Sequence, residues 1–175
     1  RVAGRFDDLG VRPGPGWPGV EGLDGSVDAS EKGGAITLKT REVLLDAPTV
    51  FSVPLAFDTI DGQVAWTLAK NRLEVKATSL TFANRDLAGN LGGTYQRDPG
   101  SPGVIDVNAS LARLDPQVMG RYLPLVIEPD AREWLDRSLL GGRLTGARFK
   151  GKGALAQFPW PGGKNGQFSV QAQLD

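Results

Sequence analysis

The chain of 175 residues contains neither cysteine nor histidine. Their absence excludes disulfide bonds, cysteine or histidine nucleophiles, haem ligation and most zinc sites. Basic and acidic residues number 20 each, so the sequence lacks the basic excess that favours a nucleic-acid partner. The composition therefore predicts no metal, no cofactor and no nucleic acid, and it leaves Asp, Glu, Lys, Tyr or Ser for any catalysis.

Long apolar runs are also missing, because no stretch reaches the roughly 18 residues of a membrane-spanning helix. The first residues have no signal-peptide pattern. The chain starts at Arg1 and ends at Asp175, directly after an alternating stretch. We interpret it as an excised segment, so that any anchor or signal would lie outside it.

Glycine and proline, by contrast, are abundant, with 24 and 12 residues. That content excludes a helical bundle, and the lack of a three-residue glycine period excludes collagen. Apolar residues make up 40% of the chain, which is enough to bury a core and argues against disorder.

Apolar and polar residues alternate with period two along most of the chain, which is typical of antiparallel strands with one apolar face. Turn-forming clusters such as Glu31-Lys32-Gly33-Gly34 separate these runs. The sequence therefore predicts a mainly β fold. The residues that we assign to the apolar face are Phe6, Val27, Ile36, Leu38, Val64, Trp66, Leu73, Val75, Phe82, Leu91, Ile105 and Val107.

An internal repeat links two stretches at an offset of 37 residues. Leu23 to Asp46 and Ile60 to Asn84 are interpreted as two copies of a three-strand unit, each with the pattern apolar-x-Gly-x-apolar near its start. Glycine at an inward position leaves room for sharp curvature or for the close approach of another body. Chance similarity among short strands is the alternative.

Residues 114–141 break the alternation and are predicted to form a two-helix insert. Asp115-Pro116 is typical of a helix start, Pro129 begins a second helix, and Gly141-Gly142 ends it. The helical stripe either packs on the sheet, which we favour, or contacts a partner or ligand. Its residues are Val118, Met119, Tyr122, Trp134, Leu135 and Leu139.

Two such short helices cannot cover a sheet of roughly ten strands spaced about 4.8 Å apart. The sheet then either folds into a sandwich or curls into a trough whose apolar floor stays open. An open floor predicts a ligand with long apolar chains, because large uncovered apolar patches mark binding sites. Both architectures remain open at this point.

Charged residues give no catalytic pattern. Asp7 and Asp8 are adjacent on a strand and face opposite sides, and Asp58 and Asp61 have the character of turn residues. No nucleophile, base and orienting group occur together, so we expect no enzyme. A carbohydrate-acting enzyme with two carboxylates is the remaining catalytic alternative.

The densest basic group is Arg148, Lys150 and Lys152, which would share one face of a strand. A solvated outer face explains it best, and a surface for anionic head groups is the alternative.

Several strings in order resemble the central region of YhdP-type AsmA-like proteins, which also have TamB as a relative. The similarity spans nearly the whole chain and is most specific between Tyr122 and Phe168. The strings are Asp8-Leu9-Gly10-Val11, Gly120-Arg121-Tyr122-Leu123-Pro124, Trp134-Leu135-Asp136, Gly142-Arg143, Phe158-Pro159-Trp160 and Gly166-Gln167-Phe168.

The resemblance implies a curved antiparallel sheet that forms a groove, apolar inside and polar outside, with the two-helix insert as a local cover. Members of this family are Gram-negative envelope proteins anchored in the inner membrane, and they are implicated in moving phospholipid to the outer membrane. The chain would then be one periplasmic segment, with repeated β-hairpin units over residues 1–113 and continuing strands over 142–175. Its partners would be phospholipid, neighbouring segments of the same longer chain and other envelope proteins. The alternative is a closed β-sandwich with a structural or protein-interaction role.

Overall fold

The computed structural model describes residues 1–14, 18–125, 129–138, 144–158, 160, 163 and 165–174. Nine strands form a single antiparallel sheet whose spatial order is the chain order. The strands are β1 Val2–Val11, β2 Gly19–Ser30, β3 Gly33–Asp46, β4 Leu55–Ala69, β5 Arg72–Ala83, β6 Leu87–Arg97, β7 Val104–Leu114, β8 Leu144–Ala154 and β9 Gly166–Leu174.

Each strand pairs only with its neighbours in the chain, so β1 and β9 are the two edges of an open sheet. The prediction of a mainly β, antiparallel fold is confirmed. The sandwich alternative is wrong for the described residues, because they contain one sheet and no second layer of strands. Period-two alternation occurs in both architectures, and for that reason it could not separate them.

Interruptions of the pairing register recur along the strands. They lie between Phe6 and Leu9 in β1, between Asp61 and Val64 in β4, and between Ala77 and Leu80 in β5. Such bulges bend and twist the strand that carries them. Asp8 and Glu42 take left-handed φ angles of 53° and 59° within their strands, which changes the strand direction in the same way. The sheet is therefore curved along its strands.

The repeated units each contain two strands rather than the expected three. Leu23–Asp46 covers most of β2 and all of β3, and Ile60–Asn84 covers most of β4 and all of β5. Each strand is longer than the short run assumed from the sequence, because the chain continues through its bulges without a turn.

The insert between β7 and β8 differs from the predicted pair of α-helices. Pro116–Tyr122 forms a 3₁₀ helix, which begins where the Asp115 carboxylate accepts a hydrogen bond of 2.9 Å from the Gln117 backbone N–H. Pro129–Ser138 forms α1, the one α-helix among the described residues. The two-helix insert is therefore not confirmed. Seven residues followed by Pro124 are too few for a stable α-helix, so the tighter turn forms instead. The predicted stop at Gly141-Gly142 lies outside the described residues.

The buried core is small and lies near one end of the strands. Leu55, Phe57, Leu87 and Leu114 form it, and Met119 and Tyr122 of the 3₁₀ helix pack against it. Most other apolar residues of the sheet are only half-buried. Among the described residues, no helix combines the length and hydropathy that crossing a membrane requires.

Candidate functional site

Strand pairing aligns apolar residues into continuous rows on one face of the sheet, which we call the apolar face. Residues paired directly across antiparallel strands point to the same side. One such row crosses all nine strands without a polar side chain. It runs Gly4, Val27, Ile36, Val64, Ala77, Gly93, Val107, Gly151 and Phe168.

A second row runs beside the first, nearer the turns that join β2 to β3 and β4 to β5. It adds five aromatic or branched side chains, and one of these, Tyr95, carries the single hydroxyl of the row. Its members are Val2, Ala29, Gly34, Trp66, Val75, Tyr95, Ile105, Gly153 and Gly166.

The pairing places all twelve residues assigned to the apolar face from sequence on this one side of the sheet. Each of the twelve is half-buried, neither enclosed in a core nor fully exposed. Their role in binding lipid stays a prediction. Residues that the sequence reasoning missed on the same face are Ala77, Leu80, Gly93, Tyr95, Ala109, Phe149, Gly151, Phe168 and Val170. Alternation continues through β8 and β9, but glycines stand at several inward positions there and weaken the signal.

Four glycines that have an apolar residue two positions before and two positions after them occupy inward positions: Gly4, Gly25, Gly62 and Gly89. At Gly62, where φ is 145°, a Cβ atom would lie 2.4 Å from the Ser79 carbonyl oxygen and collide with it. The glycine therefore lets adjacent backbones approach at a bulge, in line with the curvature expected from the sequence.

The opposite face of the sheet is polar. A row of paired residues there runs Lys39, Asp61, Thr81, Asn90, Ser110, Arg148 and Gln171. Lys150 and Lys152 share this face, and Lys152 forms a 2.7 Å ion pair with Asp106. Strand pairing therefore places the basic group on the polar face, opposite the apolar face.

A depression of about 990 Å³ lies on the apolar face where β3, β4 and β5 meet the turns. Apolar side chains form its floor: Ile36, Trp66, Leu68, Leu73 and Val75. Polar residues at strand ends and in the connecting turns form its rim: Ser30, Glu31, Asn71, Arg97 and Ser101. Leu68 is 48% exposed although it lies on the floor, so the depression is open to solvent. An apolar floor with a polar rim fits an amphiphilic ligand.

At the far end of the strands the apolar face is covered by the 3₁₀ helix and by the loop between β3 and β4, which we call the cover. Met119 and Tyr122 from the helix and Phe51 from the loop pack on the buried core residues. The Leu125 backbone N–H donates a 2.8 Å hydrogen bond to the Val50 carbonyl and joins the two parts of the cover.

A buried polar cluster attaches the cover to the sheet. The Asn84 side-chain amide donates to the Ala56 carbonyl at 2.7 Å and to the Tyr122 hydroxyl at 2.9 Å, while its oxygen accepts from the backbone N–H groups of Asp86 and Leu87. The Tyr122 hydroxyl donates to the Asp86 carboxylate at 3.2 Å. Sequence reasoning missed this cluster, because residues 36 and 38 positions apart meet only in the folded chain.

Part of the predicted helical stripe lies in the cover. Val118 is half-buried, and Met119 and Tyr122 pack on the core. Trp134 and Leu135 lie in α1, but their side chains are outside the described part of the structure, as is the whole of Leu139. Arg132 of α1 donates to the Gly120, Leu123 and Pro124 carbonyls and thereby joins α1 to the end of the 3₁₀ helix.

Removing the Tyr122 hydroxyl is expected to loosen the cover. Tyr122→Phe breaks two hydrogen bonds in a partly buried site and should cost about 1–2 kcal/mol of stability. Burial raises the pKa of Tyr122, and the hydrogen bond from Asn84 offsets part of that rise. The folded cover therefore favours the neutral Tyr122 hydroxyl. The stability that this hydroxyl contributes is complete below about pH 10, and it is lost as the pH rises through the pKa of Tyr122 in the folded state.

Urea unfolding of wild type and Tyr122→Phe across this pH range tests the cover. The stability difference between the two should shrink above about pH 10. A difference that stays constant through the tyrosine titration would contradict the assigned hydrogen bonds.

Aromatic residues cover the apolar face at its β8–β9 side. Trp160 is 4% exposed, and its indole N–H donates to the Ala154 carbonyl at 2.7 Å. The indole rests on Gly153 and Gly166, where any Cβ would overlap the ring. Phe158 contacts Trp160 edge to face with centroids 4.9 Å apart. Phe158 and Trp160 of the Phe-Pro-Trp string noted in the sequence thus lie over the apolar face.

Two of the acidic residues form exposed ion pairs with arginines. Asp28 pairs with Arg1 and Asp98 with Arg72, each at 2.7 Å and exposed. Among the described residues, no three Asp or Glu side chains are grouped to hold a metal ion.

Comparison with known protein families gives a match over the full length of the chain. The family model described as YhdP protein matches residues 1–175, the entire chain. Neither the curated proteins nor the solved structures contain a significant match.

Proposed function

The chain belongs to the YhdP protein family, and from this premise we propose that it is a segment of an envelope lipid-transfer protein. Its apolar face would line a groove that conducts phospholipid acyl chains between the inner and outer membranes of a Gram-negative cell. The observation that carries the proposal is the row of apolar and glycine residues that crosses every strand of the sheet.

The length of that row suits acyl chains. Nine strands give eight spacings of about 4.8 Å, so the row is about 38 Å long. A bilayer leaflet holds its acyl chains within about 15 Å, half of the hydrocarbon core. The apolar face could therefore contact one acyl chain after another along its length.

The chemistry of the face favours sliding. Moving an acyl chain through water costs about 0.8 kcal/mol for each CH₂ group exposed. A continuous apolar floor removes most of that cost at every position. The two rows carry no polar side chain other than the Tyr95 hydroxyl, which donates to the Pro102 carbonyl at 3.1 Å. No hydrogen-bonding group is then left on the floor of these rows to hold a chain at one place.

The same proposal places the segment in the periplasm, as part of a protein whose inner-membrane anchor lies outside it. The edges of β1 and β9 have no partner strand within the described residues. Unpaired edges favour the addition of further strands. We propose that neighbouring segments of the same longer chain pair there and extend the groove, and that other envelope proteins bind the assembled molecule.

Photocrosslinking in cells that make the full protein tests the function. A photoreactive residue at Trp66, on the floor of the depression, should form adducts with phospholipid. The same residue at Thr67, which is exposed on the polar face, is the matched control and should form few. Absence of lipid adducts at Trp66, or equal yields at both positions, would overturn the proposal.

A further inference from the structure

One charged side chain lies on the otherwise uncharged apolar face. Ladder pairing aligns Leu68, Leu73 and Arg97 in a row at the end of the strands, next to the row that contains Trp66 and Val75. Of all described residues that pairing places on the apolar face, Arg97 alone is charged. It is half-buried and lines the rim of the depression.

The loop after β6 is built to hold this rim in place. Tyr95 points to the same face as Arg97, and its hydroxyl donates to the Pro102 carbonyl at 3.1 Å. Ser101 Oγ accepts from the Gly103 backbone N–H at 3.1 Å, which leaves its own hydroxyl proton to donate elsewhere. Hydrogen bonds of 2.7 and 3.2 Å from Arg72 to the Asp98 carboxylate tie this loop to β5. These hydrogen bonds fix the loop to β5 and to its own backbone.

The charged residues that line the depression are Arg97 and Glu31. Of the two, Arg97 lies in the same row as Leu68 and Leu73 of the apolar floor. An arginine next to an apolar floor complements a ligand with an anionic head and an apolar tail.

We propose that Arg97 binds the phosphate of a phospholipid whose acyl chains lie on Trp66, Leu73 and Val75. Asn71 and Ser101, which line the same rim, supply an amide and a hydroxyl as further donors to the phosphate oxygens. The guanidinium suits this role, since its planar fork donates to two phosphate oxygens at once. The inference deepens the proposed function and rests on it, because it assigns the position of the head group.

The test measures binding of three lipids with identical photoreactive acyl chains to the purified full protein: phosphatidylethanolamine, phosphatidylglycerol and diacylglycerol. Wild type should bind both phospholipids at least about tenfold more tightly than diacylglycerol, which lacks the phosphate. Arg97→Gln should remove most of that preference and leave diacylglycerol binding unchanged. Arg97→Lys keeps the charge and should retain part of the preference. Arg5→Gln, an exposed arginine on the polar face, should have no effect.

The outcomes separate the two proposals. If wild type binds none of the three lipids, the proposed function fails and this inference fails with it. If wild type binds diacylglycerol as tightly as the phospholipids, or Arg97→Gln keeps the full preference while folded, only the inference is overturned. If inorganic phosphate protects Arg97 from chemical modification and the phospholipids do not, the rim is a site for free phosphate, which also overturns it.

Discussion

Val64→Asp is expected to lower phospholipid crosslinking to the apolar face by about 100-fold. Val64 lies near the middle of the row that crosses all nine strands, between Ile36 and Ala77. A carboxylate placed among acyl chains costs about 3 kcal/mol on membrane-insertion scales, which corresponds to that factor in occupancy. Because an acyl chain that moves along this row must pass Val64, one charge should impede transfer as well as binding. Lipid mass spectrometry of the purified full protein measures the bound lipid directly.

Gln63→Asp is the matched control for this substitution. Gln63 is adjacent in sequence, is exposed and lies on the polar face opposite Thr37. The same carboxylate there meets water and should leave the bound lipid unchanged. Equal lipid content in Val64→Asp and Gln63→Asp would show that acyl chains do not lie on the apolar face.

Leu87→Ala is expected to destabilise the covered end of the sheet by about 2–5 kcal/mol, because it opens a cavity in the buried core there. Leu87 is 3% exposed and packs in the cluster with Leu55, Phe57 and Leu114. The loss should appear as faster hydrogen exchange of the β4, β6 and β7 amides around that cluster. At 3 kcal/mol the exchange rates would rise by about 100-fold.

Leu68→Ala makes the same chemical change at an exposed position. Leu68 is 48% exposed at the floor of the depression, so its truncation should cost less than about 1 kcal/mol and leave exchange rates nearly unchanged. Leu68→Ala should instead lower phospholipid crosslinking in the depression. Similar destabilisation by both variants would contradict the division between a packed end and an open floor.

Strand pairing places every residue assigned to the apolar side on one face, from Phe6 in β1 to Val107 in β7. Antiparallel pairing aligns inward positions across strands, and the bulge between Ala77 and Leu80 puts Phe82 on the same face as Val75, although strict alternation within β5 would separate them. The assignment from sequence was incomplete in β8 and β9, where Gly151 and Gly153 occupy inward positions and carry no apolar side chain to mark them.

The polar cluster under the cover and the rim could not be predicted in the same way. Asn84 was assigned no role from the sequence, and its hydrogen bond to Tyr122 forms only when the 3₁₀ helix returns to the turn between β5 and β6. Arg97 stands at the end of an alternating run and was assigned no role. Its position on the apolar face follows from its pairing with Leu73, a contact between different strands.

By itself, the sequence determined the class of fold, the two faces of the sheet and the absence of cysteine and histidine chemistry. These properties depend on residue type and on local periodicity, which a single strand already contains. The tertiary structure decided that the strands form one open sheet instead of two packed layers, that one end is covered, and that a single arginine borders the apolar floor. Those features depend on which distant strands pair and on which segments fold back over them, and alternation within a strand carries no information about either.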